Sequence, residues 1–176
     1  MKKICILGLM MILLTGFAFA ADLVFGMWKN VDDDNGEVAA VWNIYEKDGM
    51  LFGDILAMRN RPQNALASDC KTSYKDFPIE GPVNKLPVVG TSWIYNLKKD
   101  SDVNWENGHI IDPSTGKIYG CNIKVLKAGE KNKGFTAKEP TLVVTVTVGP
   151  VKVYKYWLPA TTEDVKNLQN KFPAEY

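Results

Sequence analysis

Apolar and polar residues alternate along most of the chain beyond its first twenty positions. In 37–47, Val38, Ala40, Trp42 and Ile44 share one face, and Glu37, Asn43 and Lys47 the other. In 117–126, Tyr119, Cys121, Ile123 and Val125 oppose Asn122 and Lys124. In 141–148, Leu142, Val144, Val146 and Val148 oppose Thr141, Thr145 and Thr147. A period of two is the signature of strands with one dry and one wet face. Turn dipeptides interrupt these runs at Asn35-Gly36, Asp48-Gly49, Asn107-Gly108, Thr115-Gly116, Ala128-Gly129 and Gly149-Pro150. The pattern predicts eight strands near 22–30, 37–47, 50–58, 87–98, 104–111, 117–126, 141–148 and 151–158. Asp48-Gly49 is the clearest hairpin turn. Gly53 and Gly120, inside strands, are expected at bulges or points of strong coiling.

One segment has helical spacing. Thr161 or Thr162 can cap it, Glu163 and Asp164 occupy its first turn, and Val165, Leu168 and Phe172 line one side before Pro173. Such a helix is expected to pack on the outside of the sheet. The stretch 59–86 is long and irregular, with Pro62, Pro78 and Pro82. A connection of that length is normally functional or pinned. Eight sequential antiparallel strands fold as an up-and-down barrel or a two-sheet sandwich, and the short meander connections favour the barrel. The expected architecture is therefore all-β, with one short C-terminal helix. A barrel of eight strands either fills with side chains or holds one small ligand.

The first twenty residues read as a secretory leader. Lys2 and Lys3 form the charged start, 4–17 the apolar stretch, and Ala18-Phe19-Ala20 the processing signal. Cleavage is predicted after Ala20, leaving a single domain over 21–176 in the periplasm or outside the cell. No second long apolar stretch follows, so the processed chain is expected to carry no integral membrane segment. Cys5 leaves with the leader, and Cys70 and Cys121 remain. An even count in an oxidising compartment favours a disulfide between them, the alternative being two buried thiols.

Composition narrows the chemistry. The chain has 176 residues, 46% apolar and 11% aromatic, enough to bury a core. Its net charge of +1 leaves no electrostatic footprint for nucleic acid. A single histidine, His109, argues against multi-histidine metal sites. No serine lies in G-x-S-x-G, and the glycine-flanked 129–134 lacks the G-K-[ST] ending of a phosphate loop. The acidic run 32–37 fails the EF-hand template, because aligning Gly36 puts Val31 and Trp42 at ligand positions. It reads as a solvated hairpin turn. Glu46 with Asp54, and Glu106 with Asp112, are carboxylate pairs whose separation the sequence does not define. No catalytic constellation, cofactor site or metal site is expected.

The aromatic residues carry more information. Trp42, Trp93, Tyr95, Trp105, Tyr119, Tyr154, Tyr156 and Trp157 are spread over five of the predicted strands. In a barrel, those facing inward either form core or line a pocket, and their polar tips need partners. The candidate ligand contacts are Trp42, Ile44, Ile55, Trp93, Tyr95, Tyr119 and Ile123, made by apolar burial and a few hydrogen bonds.

A wider pattern adds to this reading. It begins Gly26-x-Trp28-Lys29-x-x-Asp32-Asp33-x-x-Gly36 and continues Ile44-Tyr45-Glu46-Lys47-Asp48-Gly49-x-Leu51-Phe52-Gly53-x-Ile55. It then runs Trp105-x-x-Gly108-x-Ile110-x-Asp112-Pro113-x-x-Gly116-Lys117-x-Tyr119-x-Cys121. Over most of 24–127 the chain is similar to domain-of-unknown-function family 2147 (DUF2147), small secreted bacterial proteins. The resemblance implies a lipocalin-like barrel and no established activity. That family often carries a second cysteine shortly after the position of Cys70; here Ser73 stands near it, leaving Cys121 as the partner. Physically, Trp28 is expected to plug one barrel end, and Asp112-Pro113-x-x-Gly116 to form a turn. Two functions are open. One is a secreted binder of a small hydrophobic or amphipathic ligand. The other is a non-catalytic interaction module with a filled barrel, using 59–86 or 159–176 as its surface.

Overall fold

The computed structural model describes residues 23–32 and 34–176; the leader reading and Asp33 fall outside the described residues. The strands are β1 (Gly26–Val31), β2 (Val38–Lys47), β3 (Met50–Met58), β4 (Ser92–Ser101), β5 (Asn104–Asp112), β6 (Lys117–Leu126), β7 (Lys131–Asn132), β8 (Phe135–Thr136), β9 (Thr141–Val148) and β10 (Val151–Pro159). Helix α1 (Thr162–Lys171) follows. β1 to β6, β9 and β10 close in sequence order into an antiparallel barrel, and β7–β8 is a separate small hairpin. Closure settles the choice between barrel and sandwich.

Several boundaries differ from the pattern. The first strand starts at Gly26 rather than near 22. The fourth starts at Ser92 rather than 87. Pro87 has no N–H to give to a ladder, and Gly90 takes a positive φ of 86°, so 87–91 belongs to the long connection. The glycine-flanked stretch 129–134 lies in a further hairpin, β7–β8, which covers Leu126 and Val143 on the outer wall.

The register explains which side chains reach the interior. β2 pairs with β1 through Asn30↔Ala40 and then Val31↔Val38, so Ala39 is bulged. The extra residue turns Val38 outward, away from the face predicted for it, and it packs beside α1. Gly53 lies where the β3–β4 register shifts, and a Cβ there would stand 2.8 Å from Ile44 Cδ1. Gly120 sits in an unbroken β6–β9 register.

Helix α1 forms because Thr161 and Asp164 make a capping box. Leu168, with Val165 and Phe172, closes over Val41 and Ala57 on the outside of β2 and β3. The Lys29 ammonium, 2.8 Å from Asp164 Oδ1, ties the helix to β1.

The long connection wraps the outer wall. Phe77 packs on Trp93 and Tyr95, with centroids 5.9 and 5.3 Å away. The Tyr74 hydroxyl donates to Gly116 O at 2.7 Å, and Asn96 Nδ2 donates to Asp76 O at 2.9 Å. These contacts hold the segment without the expected disulfide. Cys70 and Cys121 are both free and buried. Cys70 lies against the Gly116 turn at the barrel rim. Cys121 is five residues further along β6, about 16 Å of strand at roughly 3.3 Å per residue. That distance exceeds the Cα separation of about 7 Å that a disulfide tolerates. Burial pushes both thiols above their ordinary pKa.

Candidate functional site

The barrel interior is filled at one end and hollow at the other. At the filled end Ile44, Leu51, Leu97, Trp105, Ile123 and Leu142 are buried together. Trp28 closes that end, its indole N–H donating to Val24 O at 2.9 Å, and Phe25 leans on Trp105 with centroids 5.8 Å apart. At the other end lies a cavity of about 610 Å³. Its walls are Trp42, Ile55, Tyr119, Val144 and Trp157, and the rings of Trp42 and Trp157 are stacked at 5.1 Å.

Of the seven predicted contacts, Trp42, Ile55 and Tyr119 line this cavity. Ile44 and Ile123 face the interior but belong to the packed half. Trp93 and Tyr95 do not face it at all. The rung Ile94↔Ile110↔Tyr119 carries the cavity face, whereas Tyr95↔His109↔Gly120 carries the opposite one. One extra residue between Leu97 and Ile94 in the β3–β4 ladder, where Asn96 takes a φ of 61°, leaves both rings under Phe77 on the outer wall. Burial there raises the Tyr95 phenol to a pKa of about 12.

Two cavity features had no signal in the pattern. The first is polar: Asn30 Oδ1 and Trp42 Nε1 are buried and have no hydrogen-bond partner among the described residues. Both residues line the cavity, from adjacent strands. The second is a short seam. β1 and β10 pair only through Trp28↔Pro159 and Lys29↔Leu158. Beyond Lys29 no pair follows, and Asn30 and Val31 of β1 and Lys155, Tyr156 and Trp157 of β10 all line the cavity.

The mouth is charged. Asp32, Asp34, Asp112 and Lys155 line it. Arg59 bridges Asp32 and Glu37. The Asp34 backbone N–H and Arg59 together hold the Asp32 carboxyl below its ordinary pKa. Asp112 is committed to its own turn, accepting from Ser114 N and Thr115 Oγ1, each at 2.9 Å. The Asp112-Pro113-x-x-Gly116 motif is therefore architectural, and Gly116 takes a φ of 65° close against Asp69.

The other candidate groups are dispersed. Glu46 is exposed, while Asp54 accepts from Ser92 Oγ at 2.6 Å and from Tyr45 at 3.1 Å. Glu106 accepts from Asn104 at 2.9 Å, while Asp112 stands six residues further along β5, tied to its own turn. His109 rests on the Tyr95 ring, 5.3 Å between centroids, on the outer wall. Among the described residues no group of three or more metal-ligand side chains converges. A second, shallower depression of about 420 Å³ lies outside the barrel between Asn104, Asn122 and Tyr154. Its polar groups largely satisfy one another, as in Lys124 Nζ to Asn132 Oδ1 at 3.0 Å.

A closed eight-stranded antiparallel barrel, hollow at one end and carrying one helix outside, defines a lipocalin-like protein. Among solved structures, the Helicobacter pylori protein HP1028, described as belonging to the lipocalin family, is similar at a TM-score of 0.58. The identity is 13%, over 83% of this chain and 88% of that one, a likeness of fold. The family model described as "Uncharacterized protein conserved in bacteria (DUF2147)" matches residues 26–139, and the chain belongs to that family. No curated protein matches.

Proposed function

We propose that this protein is a secreted or periplasmic carrier that holds a small hydrophobic or amphipathic molecule inside its barrel. The observation that carries the reading is the asymmetry of the interior. One half is packed to exclusion, and the other keeps a cavity of about 610 Å³ within the size range of small-molecule pockets. Apolar burial against Ile55, Val144 and Trp157 supplies the affinity. The protein acts as a binder and not a catalyst, because the carboxylates, His109 and the serines are dispersed. The leader-like start of the chain supports export.

The alternative of an interaction module relied on 59–86 and the C-terminal segment. Both have partners inside the molecule: Phe77 covers Trp93 and Tyr95, and Leu168 covers Val41. The carrier reading is tested by native mass spectrometry of protein purified without detergent from its own cell envelope. A discrete added mass, released on denaturation, is expected. A bare chain that also fails to bind fatty amides, acids and alcohols overturns the reading.

A further inference from the structure

The cavity carries a mismatch that its apolar walls do not explain. Trp42 is 6% exposed, yet its indole N–H has no acceptor among the described residues. Asn30 Oδ1, on the neighbouring strand, has no donor among the described residues. Trp28 pairs with Trp42 and Asn30 with Ala40, so Asn30 and Trp42 are diagonal neighbours on the inner face. One wall thus carries an unpartnered donor and, on the next strand, an unpartnered acceptor. Leaving such groups buried and unpaired is costly, and a ligand that satisfies both gains that cost back.

Charge restricts the ligand further. Asp32, Asp34 and Asp112 line the cavity against Lys155. With Asp32 paired to Arg59, Asp34 and Asp112 still outnumber Lys155, so an anion entering this mouth meets a net negative surface.

We infer that the cavity selects an uncharged ligand with a carboxamide-type head, whose carbonyl accepts from Trp42 Nε1 while its N–H donates to Asn30 Oδ1. The body of the ligand lies against Ile55, Val144 and Trp157. This rests on the carrier reading and adds the chemistry of the head group.

The test compares octanamide, octanoate and octanol by titration calorimetry at neutral pH. These probes share a chain and differ at the head. Octanamide is expected to bind about tenfold more tightly than octanoate. Trp42→Phe keeps the ring and removes the N–H; Asn30→Leu removes the acceptor. Each is expected to weaken octanamide about fivefold, the loss of one neutral hydrogen bond. Neither is expected to lower the melting temperature of the empty protein, which separates a ligand contact from a structural one. Octanoate binding as tightly as octanamide, or octanamide indifferent to both substitutions, overturns the head-group assignment and leaves the carrier reading standing. Failure of all three probes to bind counts against both.

Discussion

Gly108 and Gly120 face one another's strands in the β5–β6 ladder, and they tolerate a side chain very differently. A Cβ on Gly108 would stand 2.4 Å from Leu97 Cδ1 and 2.7 Å from the Leu97 backbone nitrogen. The backbone atom has nowhere to go, so Gly108→Ala overpacks the filled half of the barrel. It is expected to destabilise by about 1–3 kcal/mol. A Cβ on Gly120 meets Thr147 at 3.5 Å, ordinary contact distance. Gly120→Ala is expected to cost nothing, since a strand glycine carries excess entropy when unfolded. Urea denaturation of the two variants checks the contrast. Equal losses would mean that the Leu97 contact does not limit the site.

At the scale of elements, α1 and the long connection do related work on the outer wall. The helix buries Leu168 to 6% exposure over Val41 and Ala57. Leu168→Ala is expected to lower the unfolding free energy by about 2 kcal/mol, the low end for a buried leucine because the cavity opens to solvent. Amide exchange should then quicken through α1 before it does in β2; a helix that stays protected would show that the Lys29–Asp164 pair and the capping box suffice. The helix was legible in sequence because its cap, its apolar spacing and Pro173 all agree. The strands of the barrel were legible for the same reason of agreement between pattern and turn. What escaped was whatever depended on a bulge. Ala39 turned Val38 outward, and the extra residue at Asn96 took two predicted ligand contacts out of the interior. Periodicity cannot register one extra residue, since a slip by one exchanges the faces. The two cysteines escaped for another reason: compartment and count say nothing about how far apart two residues lie on a folded strand.

At the scale of the molecule, two charge clusters fasten peripheral pieces to the barrel. Arg59 joins Asp32 and Glu37, and Lys29 joins Asp164. Asp32 is held below the ordinary aspartate value of 3.8, first by the Asp34 N–H and then by Arg59. Glu37 is held below 4.5 by Arg59 and Lys171. Asp164 is raised by burial, but its bonds from Lys29 and Thr161 outweigh this and leave it lowered. A depressed carboxylate stabilises the fold in full above its ordinary value and loses that contribution as pH falls through its folded value. Thermal stability is therefore expected to stay level from neutral pH to about 5 and to fall below about 4. Arg59→Gln should flatten part of that acid limb. A limb unchanged in this variant would place the acid sensitivity elsewhere.

The seam between β1 and β10 has a consequence for the lifetime of the molecule. Every other wall of the barrel closes through at least four residue pairs, whereas this one closes through two. Local opening begins where the fewest backbone bonds must break. Amides of 151–157 should therefore exchange first among the barrel strands, and equal protection around the ring would contradict this. A bound molecule touching Asn30 on one side and Trp157 on the other would bridge the gap and suppress that opening by mass action. An empty barrel then exposes an unpaired edge to proteases and to other chains, while a loaded one does not. On the carrier reading, the supply of ligand would decide which copies of the protein survive.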